Sequence, residues 1–221
     1  MTKPEKRLRS AKKKANPWAD HFTRKAQKEG FAARSVYKLK EIDSRHKIFR
    51  PGQRVLDMGC SPGSWLQFAS KAVEPGGSVV GVDIKPAEVR LAGNAKALLG
   101  DVFDAGAGWR REIGGGFDVV LSDMAPNTTG NKSVDALRSV ALSEAALDVA
   151  GNVLTAGGTF VCKVFMGEGF EDFVRQAKSC FEKSGLYRPQ STRSKSPEIY
   201  FVGRGFLKQK PGSTNLNPDS P

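Results

Sequence analysis

The stretch VLDMGCSPGSW, from Val55 to Trp65, decides the fold that we predict for this chain. It has the pattern of a buried strand followed by a turn rich in glycine and proline, and then by a helix. Gly59 can adopt a positive φ that lets a ligand approach the backbone, and Pro62 fits the first turn of a helix. Dinucleotide-binding folds need G-x-G-x-x-G here, and the stretch lacks it. Asp57, at the strand end, would repel a pyrophosphate and attract a cation.

Strands and helices alternate after this stretch, which predicts an α/β fold with a mostly parallel sheet and helices on both faces. The predicted strands are Arg54–Asp57, Ser78–Ile84, Ala95–Gly100, Phe117–Asp123, Thr159–Phe165 and Ile199–Phe206, with a further short strand near Tyr187. The predicted helices are one that begins near Glu29 and ends before Pro51, then Pro62–Val73, Ser133–Leu154 with Ser133 as its N-cap, and Gly169–Ser184.

Acidic residues end three successive predicted strands. Asp57 ends the first, Asp83 lies at the end of the second, and Asp101 follows the third. A carboxylate at Asp83 could accept hydrogen bonds from both hydroxyls of a ribose, and Asp101 could reach an adenine amino group. S-adenosylmethionine suits such a site, because its ammonium and sulfonium groups are positive and it carries no phosphate. Each aspartate alone could equally be a turn or cap residue; the set of three is the stronger signal.

The positive charge of the chain is concentrated near its N-terminus. The net charge is +12, and residues 1–54 alone hold 17 Lys and Arg against 5 Asp and Glu. We divide the chain into a basic, flexible arm (1–28), a catalytic domain (29–207) and a disordered, Pro- and Gly-rich tail (208–221). A lysine-rich arm can simply aid solubility, but beside an enzyme-like domain it favours a polyanion such as RNA, bound through the arm and the basic C-terminal residues.

The remaining composition excludes several classes of protein. No apolar stretch approaches the roughly 20 residues of a spanning helix, and the N-terminus lacks the apolar segment of a secretory signal. The 3 cysteines are too few and too scattered for a disulfide framework. Two histidines do not form a ligand cluster, so we expect no metal. We therefore expect a cytoplasmic protein that acts as a monomer.

Four charged residues are candidates for catalysis. Lys163 lies inside the apolar strand TFVCKVF, where a lysine is unfavourable unless it is paired or points into a cleft. Asp123 ends the strand before it, Glu198 precedes the last strand, and Lys38 lies on the early helix. A lone strand lysine is more often an edge residue than a catalyst. The sequence alone therefore leaves the role of Lys163 open.

These motifs resemble the FtsJ/RrmJ family of S-adenosylmethionine-dependent ribose 2′-O-methyltransferases, particularly its bacterial 23S rRNA members. The resemblance runs from about Asp20 to Gly205. It is carried by HF…QKEGFAARSVYKLKEID, VLDMGCSPGSW, GDVFD, SDMAPNTTG, GGTFVCKVFMGEGF and SKSPEIYFV. It implies a Rossmann-like methyltransferase fold with a seven-stranded sheet. It also implies a catalytic set of Lys38, Asp123, Lys163 and Glu198, and a cofactor site of Asp57, Gly59, Gly63, Trp65, Asp83, Asp101 and Asp123.

The resemblance further implies methylation of a large-subunit rRNA ribose, at a uridine of the peptidyl-transferase A-loop. In that reaction we expect Lys163 to take or steer the hydroxyl proton, with Lys38 acting on it by like-charge repulsion and the carboxylates holding both ammoniums. Within the enzyme class, a tRNA or an mRNA cap is the alternative substrate. A non-catalytic ribosome-assembly factor is the alternative outside it, and an NAD-type dehydrogenase is disfavoured by the missing glycine pattern.

Overall fold

The computed structural model describes residues 17–104, 106 and 108–208, with side chains from residue 21 onward. Strands β1 to β7 are Arg54–Met58, Ser78–Asp83, Ala95–Leu99, Phe117–Ser122, Leu154–Phe165, Phe181–Tyr187 and Glu198–Phe206. Helices α1 to α6 are Pro17–Lys28, Val36–His46, Ser64–Ala72, Gly108–Ile113, Lys132–Val153 and Phe170–Ser179. The described part of the chain contains no helix that is both long enough and apolar enough to cross a membrane.

The seven strands form one sheet in the order β3-β2-β1-β4-β5-β7-β6. Strands β1 to β5 pair in parallel, whereas β7 is antiparallel to both of its neighbours, β5 and β6. The reversal brings the beginning of β7 to the edge of the sheet at which the parallel strands end, so that Tyr200 lies opposite Lys163 and Glu198 opposite Phe165. The predicted seven-stranded, mostly parallel sheet is confirmed.

Helices cover both faces of the sheet, as predicted, because side chains along each buried strand alternate between two cores. Val55 packs in the core beneath α2 and α3, with Leu39 and Leu66. Leu56 packs in the other core, beneath α4, α5 and α6, with Phe173 and other apolar side chains. Even- and odd-numbered residues of one strand therefore lie in different layers. Two charged strand residues can contact each other only if their side chains point to the same face of the sheet.

The N-terminal boundary of the fold differs from the prediction. Residues 17–28 form α1 instead of belonging to a flexible arm, and the early helix begins at Val36 instead of near Glu29. Helix α1 is held in place because Phe22 and Ala26 pack on Val36 and Tyr37. These contacts require the tertiary fold. Residues 1–16 of the predicted arm, and 209–221 of the predicted tail, lie outside the described residues.

Two further local predictions were wrong. The helix predicted to reach Ser184 ends at Ser179, and β6 begins at Phe181. Phe181 fits a helical spacing with earlier aromatics, but its ring stacks on Phe160 of β5, with centroids 6.1 Å apart. The N-cap of α5 is Asn131, not Ser133, since the Asn131 side chain accepts the amide of Ser133 at 3.1 Å.

Candidate active site

A cavity of about 710 Å³ opens where the parallel strands end. Such an edge is the usual ligand site of open α/β sheets. The residues that line it come mainly from the segments after β1, β2, β3 and β4 and from the first half of α5. They include Met58, Gly59, Ser61, Pro62, Asp83, Ile84, Lys85, Glu88, Asp101, Val102, Phe103, Asp123, Met124, Asn127 and Arg138. Four of the predicted cofactor residues, Gly59, Asp83, Asp101 and Asp123, are therefore brought to one cavity.

Gly59 forms the floor of this cavity through its bare backbone. Its φ is +77°, and a Cβ atom there would lie 2.7 Å from Cγ of Met124. Only glycine fits both the conformation and the space. The neighbouring turn is held by Asp83, whose Oδ2 accepts the Ser61 amide at 3.0 Å and whose Oδ1 accepts the Lys85 amide at 2.9 Å. The loop that faces a ligand is thus preorganised by the same carboxylate that lines the cavity.

The far end of the cavity combines an acidic side chain with exposed apolar ones. Ile84 and Phe103 line it and are 68% and 59% exposed. Asp101 lies beside them and orders its own loop by accepting the Phe103 amide at 2.9 Å. Apolar side chains left open to solvent next to a carboxylate suit a flat ring that carries an amino group. Neither Ile84 nor Phe103 was predicted from the sequence as a site residue.

Gly63, Trp65 and Asp57 do not line the cavity among the described residues. A Cβ at Gly63 would lie 2.4 Å from Cγ2 of Val89. Trp65 is buried, and its indole N–H donates to the carbonyl of Ser35 at 2.9 Å. A direct contact with a cofactor therefore remains a prediction for each of these three residues.

Asp57 is fully buried, and neither carboxylate oxygen has a hydrogen-bond partner among the described residues. Burial raises the pKa of Asp57 well above its usual value, and the nearby charges of Asp123 and Asp83 raise it further. A neutral carboxylic acid is the favoured form in such a place.

We predict that Asp57→Asn becomes more favourable relative to wild type as the pH rises. An unfolded aspartate ionises near pH 4, whereas the folded chain keeps Asp57 protonated to a higher pH. The wild-type protein therefore loses stability as the pH rises from about 4 toward the pKa of Asp57 in the folded chain. Asparagine does not ionise, so the variant has no such loss. The free energy of unfolding of both proteins, measured by urea denaturation at pH 4.5 and 7.5, checks the sign; a pH-independent difference would contradict it.

Lys163 and Asp123 form one half of the predicted catalytic set. Lys163, only 7% exposed, extends from β5 to Asp123 at the end of β4. Its ammonium lies 3.0 Å from Asp123 Oδ1 and donates to the Asp123 main-chain carbonyl at 2.5 Å. Two of its three N–H groups are directed at Asp123, and Lys163 is not among the described residues that line the cavity.

Lys38 and Glu198 form the other half. The Lys38 ammonium, from α2, lies 2.5 Å from Glu198 Oε1 at the start of β7. Thr192 donates its hydroxyl to the same oxygen at 3.2 Å. Both members of the pair are largely buried, at 9% exposure. The four predicted catalytic residues thus come together as two ion pairs on the α2 side of the sheet.

Tyr200 joins this cluster, although it was not predicted from the sequence. The Tyr200 ring is fully buried, and its hydroxyl donates to Asp123 Oδ1 at 2.7 Å. Burial alone would raise the pKa of Asp123, but the charges of Lys163 and Lys38 and the hydrogen bond from Tyr200 outweigh it, so that the pKa is lowered. Tyr200 follows Glu198 by two residues in one strand, and the period-2 alternation could have identified it.

A second cavity, of about 460 Å³, adjoins the Lys38–Glu198 pair. Its lining is mostly basic or hydroxylic and comes from the beginning of α2 and the segment before β7: Arg34, Ser35, Lys38, Arg193, Lys195, Ser196 and Glu198. The ion pairs therefore lie between two cavities, since Asp123 lines the first and Lys38 and Glu198 line the second. A polyanion that occupies the basic cavity would bring its sugar toward the acidic one.

The reversed strand β7 and the acidic cavity at the ends of β1 to β4 place the chain in the Rossmann-like class of methyltransferases. The model of the FtsJ-like methyltransferase family matches residues 31–206, and the chain belongs to that family. The resemblance noted from the motifs is confirmed.

Named relatives agree with this assignment. A protein of Desulfatibacillum aliphaticivorans named ribosomal RNA large subunit methyltransferase E is 55% identical over 196 residues, which cover 89% of this chain and 95% of that protein. A Desulforapulum autotrophicum protein with the same name is 49% identical over 194 residues, covering 88% and 96% of the two chains.

A solved structure shares the fold. It is the crystal structure of a Plasmodium falciparum protein assigned as a ribosomal RNA methyltransferase, with a TM-score of 0.70 and 27% sequence identity. The match covers 81% of this chain and 100% of the other.

Proposed function

We propose that this chain transfers a methyl group from S-adenosylmethionine to a ribose 2′-hydroxyl of large-subunit rRNA during ribosome maturation in the cytoplasm. The observation that carries the proposal is the pair of buried ion pairs between an acidic cavity and a basic one. The names of the relatives support large-subunit rRNA as the substrate, and the choice of 23S rRNA follows from the family resemblance. The choice of a uridine in the A-loop follows from the family resemblance. Action as a monomer is part of the same proposal.

The residues of the first cavity fit S-adenosylmethionine. Asp83, Asp101 and Asp123 favour a cation, and the glycine floor at Gly59 admits a ligand close to the backbone. We expect Asp83 to hold the ribose hydroxyls, and Asp101 with Phe103 to hold the adenine. The cofactor, when bound, supplies a methyl group on a positively charged sulfur. Asp123, at the opposite end from Asp101, would lie toward the reacting atoms.

Lys163 is the residue that we assign to the hydroxyl group of the substrate. A ribose hydroxyl must lose its proton as its oxygen attacks, and a nearby ammonium stabilises the negative charge that develops on that oxygen. Because two N–H groups of Lys163 are held by Asp123, the third is fixed in direction. We propose that Lys163 steers the proton as it leaves the hydroxyl group, and that the proton passes to the Asp123 carboxylate, which lies 3.0 Å from the ammonium.

The basic cavity is the proposed contact for the RNA backbone. Arg34, Arg193 and Lys195 line it beside Lys38, and each phosphate neutralised there adds affinity through release of counterions. We propose that the basic residues of 1–28 and of the C-terminal region extend this surface. Lys38 and Glu198 line the same cavity. A phosphate bound there would therefore place its neighbouring ribose at the two ion pairs.

We predict that Tyr200→Phe lowers kcat/KM for RNA about tenfold and shifts the acidic limb of the pH–rate profile to higher pH. The phenol hydroxyl donates to Asp123 and helps to keep its pKa low, so its loss makes Asp123 easier to protonate. Phenylalanine keeps the ring that packs on Trp65, with centroids 6.0 Å apart. An unchanged acidic limb would show that the hydroxyl is only structural.

The proposal is tested by incubating the purified chain and radiolabelled S-adenosylmethionine with large ribosomal subunits, free rRNA or tRNA that lack the modification. Label in the subunit or its rRNA is the expected result. Label only in tRNA would replace the proposed substrate, and label only in capped mRNA, offered separately, would do the same. Cofactor binding without transfer to any RNA would favour an assembly factor.

A further inference from the structure

The 188–197 loop, which connects β6 to β7, supplies three of the seven residues that line the basic cavity: Arg193, Lys195 and Ser196. It is longer than the usual connection of a hairpin, and several of its side chains are exposed, among them Arg193 and Lys195. Only a few backbone turns order it internally, such as the Thr192 amide on the Pro189 carbonyl at 3.0 Å. An exposed loop of this length needs further contacts to keep one shape.

One side chain, that of Arg188, supplies those contacts within the loop. One nitrogen of its guanidinium, Nη2, donates to the main-chain carbonyls of Ser196 at 2.7 Å, Arg193 at 3.3 Å and Ser194 at 3.4 Å. The other, Nη1, donates to the carbonyl of Glu198 at 3.1 Å. All four acceptors lie in the segment that carries the basic cavity and Glu198. A planar guanidinium can span such a set of acceptors, whereas an ammonium cannot.

The same loop is attached to α2, the helix that carries Lys38. The Glu41 carboxylate accepts the Gln190 amide at 2.6 Å and the Ser191 amide at 3.0 Å. Arg34 donates to the Ser191 carbonyl at 3.0 Å. Arg188 therefore fixes the shape of the loop, and Glu41 fixes its position relative to Lys38.

We propose that Arg188 is a positioning residue that assembles the RNA-binding side of the active site before RNA arrives. Arg188 is absent from the lining of both cavities described above, so it acts through Arg193, Lys195 and Glu198. Without it, four carbonyls lose a charged donor and the loop must be ordered by RNA itself, which weakens binding. This inference rests on the proposed function, because it assigns the loop to the RNA substrate.

The test compares Arg188→Met and Arg188→Lys with the matched control Arg175→Met. Arg175 lies on α6, with its side chain 78% exposed and 2.9 Å from Asp172. We expect Arg188→Met to raise KM for rRNA about tenfold or more, with a smaller change in kcat and an unchanged dissociation constant for S-adenosylmethionine. Arg188→Lys should recover part of the loss, and Arg175→Met should match wild type.

A second measurement reads the loop without any RNA. Trypsin cleaves after Arg193 and Lys195, and we expect faster cleavage there in folded Arg188→Met, seen by mass spectrometry. If Arg188→Met does not fold, Arg188→Lys gives the same two readouts, because lysine keeps the charge but cannot span the four carbonyls. Wild-type KM together with wild-type cleavage would overturn the inference. Absence of methyl transfer in the wild type would overturn the proposed function instead, and cleavage would still test Arg188.

Discussion

Replacement of Lys163 by methionine is expected to lower kcat for methyl transfer to RNA about 10³-fold. Methionine fills the same buried space but supplies no N–H group and no charge for the attacking oxygen. Asp123, which now lies 3.0 Å from the ammonium, would also lose its ion-pair partner. Single-turnover rates with saturating cofactor and rRNA measure the effect on the chemical step.

Lys183→Met is the control for this substitution. Lys183 is also a strand lysine, in β6, but its side chain is exposed. We expect it to keep the wild-type rate. A Lys163→Met protein that folds, binds cofactor normally and retains a rate near that of wild type would show that Lys163 is not the residue that acts on the hydroxyl group.

Asp83→Asn is expected to weaken the binding of S-adenosylmethionine about 30- to 100-fold, which corresponds to the loss of one or two hydrogen bonds to a charged group. Asp83 lines the acidic cavity and also accepts the amides of Ser61 and Lys85. Asparagine retains one acceptor oxygen and loses the charge. Isothermal titration with the cofactor gives the dissociation constant directly.

The matched control is Asp148→Asn on α5, where the carboxylate is 66% exposed and lies 3.4 Å from Arg110. Its cofactor affinity should equal that of wild type. Asp83→Asn should also recover most of its kcat once cofactor is saturating, since Asp83 is assigned to binding and not to the reaction. An affinity within twofold of wild type would remove Asp83 from the cofactor site.

The parallel part of the sheet could be predicted because its signals are local. Each of β1 to β4 is a short apolar run with a turn after it, and Asp57, Asp83 and Asp101 mark the ends of the first three. The carboxyl ends of parallel strands lie at one edge of a sheet. Knowing the strands was therefore enough to place Asp83, Asp101 and Asp123 around one cavity.

The elements that the sequence did not predict correctly depend on tertiary contacts. The helix α1 is held by the packing of Phe22 and Ala26 on the next helix, and β6 exists because Phe181 stacks on Phe160. Neither contact has a signature in the local pattern. The first residue of a strand can lie at a helical spacing from the aromatic residues of the helix before it, as Phe181 does.

The residues of the candidate site likewise fall into those that could be identified from the sequence and those that could not. Lys163 was noticed because a charge inside an apolar strand is unusual, and the family resemblance implied its catalytic role together with that of Glu198. Tyr200 was missed because a buried tyrosine in a strand is ordinary until its hydroxyl is seen on Asp123. Arg188 was missed for a similar reason. Its acceptors are main-chain carbonyls, and every residue type carries one, so the sequence does not show which of them accept a hydrogen bond.

The central claim is that the methyl group goes to a ribose oxygen of RNA, and the chemical identity of the product tests it most directly. Large-subunit rRNA labelled by the wild-type chain with radioactive S-adenosylmethionine would be digested to nucleosides and resolved by chromatography with mass spectrometry. We expect label in 2′-O-methyluridine, and labelling about 10³-fold slower with Lys163→Met. Label on a nucleobase, or on protein alone, would contradict it.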